Sequence, residues 1–104
     1  MRIIFIGTKQ GNFGECTIPN TLEDLQRAVN GYIEITTLPE LKEHGIQMIV
    51  NEEGLLRGLK PNENLFPFFF VGSVLLVNID GEDFASLTDK QVKFAMKWLT
   101  GLPL

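Results

Sequence analysis

The chain carries one cysteine, one histidine, one tryptophan and one tyrosine in 104 residues. A lone Cys16 excludes an internal disulfide and any cysteine-based metal cluster. It reads as a small strand residue, with a reactive thiol as the alternative. A lone His44, in a polar stretch between Glu43 and Gly45, leaves no convergent metal ligands. A nucleophilic triad would have to combine His44 with Ser73, Ser86 or Cys16, and none of these sits on a nucleophile-elbow pattern. Gly-x-Gly-x-x-Gly and P-loop spacings are missing too. Acidic neighbours such as Glu23-Asp24, Glu52-Glu53 and Glu82-Asp83 point apart on a turn or helix and make no carboxylate dyad by adjacency. The expectation is a protein with no catalytic residues, no cofactor and no metal.

Long apolar runs are lacking as well. The densest, Leu65 to Val77, spans 13 residues broken by Pro67, Gly72 and Ser73, short of the roughly 20 needed to cross a bilayer. Met1 to Gly7 has one positive charge and four isoleucine or phenylalanine residues, shorter than a secretory apolar region. No membrane association is expected, and the cytoplasm is the expected location. Thirteen acidic residues against nine basic ones give a net charge of -4, which disfavours direct DNA binding through phosphate neutralisation.

The composition, 44% apolar and 21% charged, is that of an ordinary globule, and the length suits one domain over residues 1–104. Consecutive apolar residues at Arg2 to Gly7 predict a strand covered on both faces. Gly11-Asn12-Phe13-Gly14 reads as a hairpin loop, with a returning strand at Glu15 to Ile18. Asn20 with Glu23 forms a candidate capping box for a helix over residues 21–30, with Leu22, Leu25 and Val29 as its apolar stripe and Asn30-Gly31 as its stop. Tyr32 to Leu38 alternates as a half-buried strand. Pro39 to Gly45 is a charged connection, and Ile46, Met48 and Val50 share one face of the next strand.

Asn51-Glu52-Glu53-Gly54 turns the chain, and Leu55 to Leu59 is expected to return as a short hairpin arm. Val71 to Asp80, the longest apolar strand, is expected at the centre of the sheet, followed by a turn at Asp80-Gly81 and an acidic approach to a helix. Thr88 and Gln91 supply a second capping box, with Leu87 and Val92 as a hydrophobic staple, for a helix over residues 89–100. The sum is an α+β fold: a mainly antiparallel sheet with two helices, 21–30 and 89–100.

Three features point to binding. Lys90, Lys93 and Lys97 share one side of the C-terminal helix, either a solvated face or an anion-binding stripe. Arg57 and Lys60 flank Gly58 beside Asn62; with Tyr32 they are candidates for an anion or nucleotide site. Phe66, Phe68, Phe69 and Phe70 surround Pro67, half of the chain's eight phenylalanines. Neighbours in a strand point to opposite faces, so a small sheet cannot easily bury all of them. They are either core or an interface, with Glu52, Glu53, Glu82 and Asp83 as acidic partners for a basic surface.

The ordered pieces Asn20-Thr21-Leu22-Glu23-Asp24-Leu25-Gln26, Gly31-Tyr32-Ile33-Glu34, Asn51-Glu52-Glu53-Gly54, Gly58-Leu59-x-Pro61-Asn62, Val71-Gly72, Asp80-Gly81-Glu82-Asp83-Phe84 and Ser86-Leu87-Thr88-Asp89 resemble a recurring small domain of unknown function typical of phages, prophages and plasmids. The similarity covers roughly residues 18–92 and departs from the pattern between Asn62 and Val71. It brings no catalytic residues. What it implies is a non-catalytic binding protein of a phage or mobile element that counteracts host immunity. The expected partner is a host defence protein or a small phosphorylated signalling molecule, with a homo-oligomer as a further expectation. The alternative is a structural or accessory module working through protein–protein contacts.

Overall fold

The structure is a computed structural model that describes residues 1–102. Six strands form one sheet: β1 Arg2–Ile6, β2 Phe13–Thr17, β3 Ile33–Thr36, β4 Ile46–Asn51, β5 Val74–Asp80 and β6 Asp83–Ala85. Their order is β2-β1-β5-β4-β3, with β6 also paired to β5, and all five pairings are antiparallel. Helices α1 Leu22–Val29, α2 Pro39–Lys42 and α3 Asp89–Gly101 complete an α+β fold, with a single 3₁₀ turn at Glu63–Leu65. None of these helices is long and apolar enough to cross a membrane.

The pleat divides the core into two layers. Ile3, Ile49, Leu75 and Val77 face α1 and meet Leu25 and Val29. Ile4, Ile6, Ile46, Met48, Val74 and Leu76 face the other way, onto Leu41 of α2 and Ala95 and Leu99 of α3. In β1, β4 and β5 adjacent positions are therefore apolar, as strands covered on both faces require. β5 lies in the middle of the sheet, in the place its sequence predicts.

Helix α3 starts as its sequence dictates. The Thr88 hydroxyl accepts from the Gln91 N–H at 3.1 Å, and the Gln91 side chain accepts from the Thr88 N–H at 2.9 Å. Helix α1 is displaced by one residue from the expected cap. Thr21, not Asn20, is its N-cap, accepting from the Asp24 N–H at 3.2 Å. Asn20 instead donates to the carbonyl of Phe84. Leu22, placed on the apolar stripe by spacing alone, is exposed, while Leu25 and Val29 are buried.

Other boundaries shift for local reasons. The strand expected over Tyr32 to Leu38 is only Ile33–Thr36. Pro39 to Gly45 contains the one-turn helix α2, with Pro at its start and Leu41 buried; one turn is too short to show a period. Gly72, at φ 76°, kinks the chain, so β5 begins at Val74. Asp83–Ala85 is strand β6, not a helix approach, because Gly81 at φ 65° closes a two-residue hairpin loop with Asp80 opposite Asp83.

The segment between β4 and β5 carries most of the departures. Leu55 to Leu59 is not a hairpin arm. The Asn51 side-chain oxygen accepts from the Glu53 N–H at 2.8 Å, and the chain then coils through Arg57 N–H to Glu53 carbonyl at 2.9 Å and Leu59 N–H to Gly54 carbonyl at 3.0 Å. Gly54 sits where a Cβ would lie 2.7 Å from Val71 Cγ2, so any larger residue here would have to displace the Val71 side chain. Pro61 then bridges Val71.

Two buried amides hold this segment in place. Asn62 donates to the carbonyls of Ile6 and Gly72 at 3.2 and 2.9 Å and accepts from the Asn64 N–H at 3.1 Å. Asn64 donates to the carbonyls of Gly7 and Lys9, each at 2.8 Å, and accepts from the Gly11 N–H at 2.8 Å. Replacing Asn64 by Ala strands the buried Gly7 carbonyl, so Asn64→Ala is expected to cost about 2–3 kcal/mol and lower the urea midpoint. Thr88→Ala removes one half of the capping box, an expected loss of about 1 kcal/mol in the same measurement. An Asn64→Ala midpoint equal to that of the native chain would refute the clamp.

Candidate functional site

The coiled loop after β4 faces the end of the phenylalanine segment, and a groove opens between them. Its volume is 480 Å³. Glu34 and Thr36 of β3, Val50 and Asn51 of β4, the loop residues Glu52 to Leu56, and Phe69 to Val71 line it. Leu55, Leu56 and Phe69 are 72%, 89% and 68% exposed. Each carboxylate of the groove, from Glu34, Glu52 and Glu53, belongs to an exposed residue.

The phenylalanines divide by role. Phe70 packs against the core layer beneath α3, and Phe68 stacks on Trp98 of α3 with ring centroids 6.2 Å apart. Phe66 and Phe69 turn outward. On the far side of Phe69 and Phe70 lies a second hollow of 380 Å³, bounded by Pro61, Glu63, Phe66, Pro67 and Phe68. Phe69 and Phe70 thus form a ridge between two depressions. The cluster is part core and part surface, because side chains of the 66–70 segment leave it in opposing directions.

The acidic candidates separate into two places. Glu52 and Glu53 join Phe69 and Phe70 in the groove. Glu82 and Asp83 lie in the β5–β6 hairpin, at the opposite end of a seven-residue strand, on the order of 20 Å away at about 3.4 Å per residue.

Of the anion candidates, Arg57 reaches the end of α1 with its guanidinium against Gly31, next to Tyr32. Asn62 is buried with both donors and its acceptor engaged. Arg57 donates to the carbonyl of Asn30, the C-cap of α1, and so closes the helix end. Lys60 is exposed, and its backbone carbonyl accepts from the Gly72 N–H. Tyr32 is exposed at the entrance to β3. Lys90, Lys93 and Lys97 are all exposed on α3.

His44 stacks on Phe94 with ring centroids 3.6 Å apart and 19° between planes, while its carbonyl accepts from Gln91. No cluster of three His, Cys, Asp or Glu side chains that could hold a metal ion occurs among the described residues.

Sequence reasoning named Glu52, Glu53, Phe69 and Phe70 but missed Glu34, Leu55 and Leu56. The usable signal was two adjacent leucines inside a stretch of turn residues, where no strand period can bury them.

Cys16 lies on the edge strand β2, opposite Ile3 of β1. Burial pushes its thiol above the ordinary range, and the neighbouring Glu15 carboxylate raises it further. A raised value leaves less thiolate at a given pH, and the thiolate is the nucleophile. Near pH 8, iodoacetamide should therefore modify the folded chain more slowly than the urea-unfolded chain. Equal rates would show an unperturbed thiol.

No curated protein and no solved structure matches the chain. Residues 1–100, which hold the whole sheet, the coiled loop and nearly all of α3, match one family, and on that match the chain belongs to the family described as Domain of unknown function (DUF3846).

Proposed function

We propose that the chain is a non-catalytic binding protein of a phage or other mobile element that counteracts host immunity by docking on a defence protein in the host cytoplasm. The observation that carries the docking step is the groove itself. It sets the exposed side chains of Leu55, Leu56 and Phe69 beside the carboxylates of Glu34, Glu52 and Glu53. An apolar centre with a charged border is the anatomy of a recognition surface, and an aromatic anchor in a desolvated pocket contributes most of the binding energy. The mobile-element context rests on the resemblance of the turn-and-cap pieces to phage, prophage and plasmid domains.

Capture of a protein is favoured over capture of a phosphorylated signal. A phosphate site needs converging cations or free N–H groups. Asn62 is buried with its amide engaged inside the fold, Arg57 places one N–H on the Asn30 carbonyl, and the groove is lined by carboxylates with no Lys or Arg among its lining residues.

The test is plaque formation on bacteria that carry a defence system restricting a given phage. Expression of the chain should restore plaquing, and the double substitution Leu56→Ser with Phe69→Ser should reduce that restoration at least about tenfold while thermal unfolding stays unchanged. Truncating one interfacial aromatic anchor typically costs about 2 kcal/mol or more. Unchanged plaquing on hosts with and without defence systems would overturn the reading. A growth defect on defence-free hosts after deletion of the gene would support a replication accessory instead.

A further inference from the structure

Among the described residues, strand β3 is an edge of the sheet, paired only with β4. Its register fixes which backbone groups look outward. The Glu52 N–H donates to the Tyr32 carbonyl at 2.8 Å, one step beyond the Ile33–Asn51 pair. Bonded and non-bonded pairs alternate along an antiparallel ladder. Glu34 and Thr36 therefore spend their bonds on β4, opposite Val50 and Met48. The N–H and C=O groups of Ile33 and Ile35 face the open side. Two donors and two acceptors stand there at the spacing of a further strand.

The two faces beside this edge differ in chemistry. On the α1 side, Ile33 packs under the helix and Ile35 is 52% exposed. On the other side Glu34 lines the groove with Glu52, Glu53, Leu56 and Phe69. No Lys or Arg is among the residues lining that groove. The nearby Arg57 is turned to the Asn30 carbonyl. The ion pairs among the described residues are Arg2–Asp89 and Arg27–Asp24, so these three glutamates are unpaired.

We infer that the β3 edge takes an extended, arginine-bearing segment of a partner protein as an added strand, with its arginines laid into the groove and its intervening apolar side chains on Ile35. The inference rests on the docking reading above and names its chemistry. Strand addition draws affinity from main-chain bonds and specificity from pockets for alternate side chains. Arginine fits these pockets because its aliphatic stem covers leucine, while its planar cation stacks on an aromatic ring and pairs with carboxylates. A second copy of this chain brings the same charge and no arginine on β3. Two β3 edges paired antiparallel about Glu34 would set that carboxylate opposite itself, a destabilising arrangement. The opposite edge, β2, carries a single carboxylate, Glu15.

The probe is a blocked peptide of about nine residues alternating arginine and valine, an ordinary strand length, with an alternating glutamate and valine peptide as control. Calorimetric titration and amide hydrogen exchange read the outcome. The arginine peptide should bind, bind less tightly as salt rises, and slow exchange at the Ile33 and Ile35 amides by about tenfold or more, while the glutamate peptide should not bind. Glu34→Lys combined with Glu53→Lys, both at exposed positions, should weaken binding at least about tenfold and leave thermal unfolding unchanged.

Binding that leaves the Ile33 and Ile35 amides unprotected would overturn strand addition while leaving the docking groove in place. Failure of the arginine peptide to bind a folded chain that still restores plaquing through Leu56 and Phe69 would do the same. A concentration-dependent dimer abolished by the glutamate reversals would give the edge to a second copy and overturn the inference. Restoration of plaquing that fails together with peptide binding would remove both readings.

Discussion

Everything that makes this surface possible hangs on two buried side-chain amides. Asn62 and Asn64 each use two N–H donors and one oxygen, and together they hold the carbonyls of Ile6, Gly7, Lys9 and Gly72 and the N–H groups of Gly11 and Asn64. Apart from the N–H of Asn64 itself, those backbone groups belong to the end of β1, the β1–β2 loop and the approach to β5. The long segment between β4 and β5 has no sheet partner beyond the Pro61–Val71 bridge. A buried backbone group without a partner costs on the order of 1–3 kcal/mol, so the amides pin the segment against the sheet where a ladder would otherwise be needed. Asn51 does the same at the other end, donating to the Val29 carbonyl and accepting from the Glu53 N–H. No buried side-chain polar atom among the described residues is left without a partner.

With both ends of the segment fixed, the phenylalanines sort themselves. Phe68 reaches Trp98 and Phe70 reaches the layer beneath α3. Their insertion fixes Phe69 between them, facing out. The backbone of Phe69 is thereby held between two packed neighbours, so it has less freedom to lose on binding. The coiled loop adds Leu55 and Leu56 by the same logic. Gly54, pressed on Val71, closes the coil, and its leucines project because the turn geometry leaves them no core to enter.

How much of this was legible in the sequence depends on the range of the interaction. The capping box of α3 and the two-faced apolar character of β1 and β5 are local or strictly periodic, and the α+β class followed from them. The one-residue shift of the α1 cap came from two competing capping side chains, Asn20 and Thr21, of which Asn20 is drawn away to the Phe84 carbonyl. Asn62 read as a loop ligand because its burial depends on Ile6 and Gly72, which no local pattern connects. For the site, charge and aromaticity marked Glu52, Glu53, Phe69 and Phe70. Glu34 escaped, since β3 joins the groove only through its register with β4. Arg57 and Lys60 are close in sequence, and only the fold shows that the coil turns Arg57 to the Asn30 carbonyl at the end of α1.

The charges on this edge serve two ends at once. An open strand invites pairing with any other strand, and short length and charge are the usual protections. β3 has both, four residues with Glu34 at its centre. The groove that Glu34 shares with Glu52 and Glu53 has a volume of 480 Å³. A second copy of the same edge brings the same negative charges with it, and like charges directly opposite one another are destabilising. A cation brought into the groove meets only negative side-chain charge among its lining residues. Negative charge at this position thus selects against self-pairing and for a basic strand by a single electrostatic term of opposite sign, and Ile35 on the other face supplies apolar area to either visitor without distinguishing them. The selectivity of the edge therefore resides in the glutamates and its adhesion in the leucines, the phenylalanine ridge and the free backbone of Ile33 and Ile35.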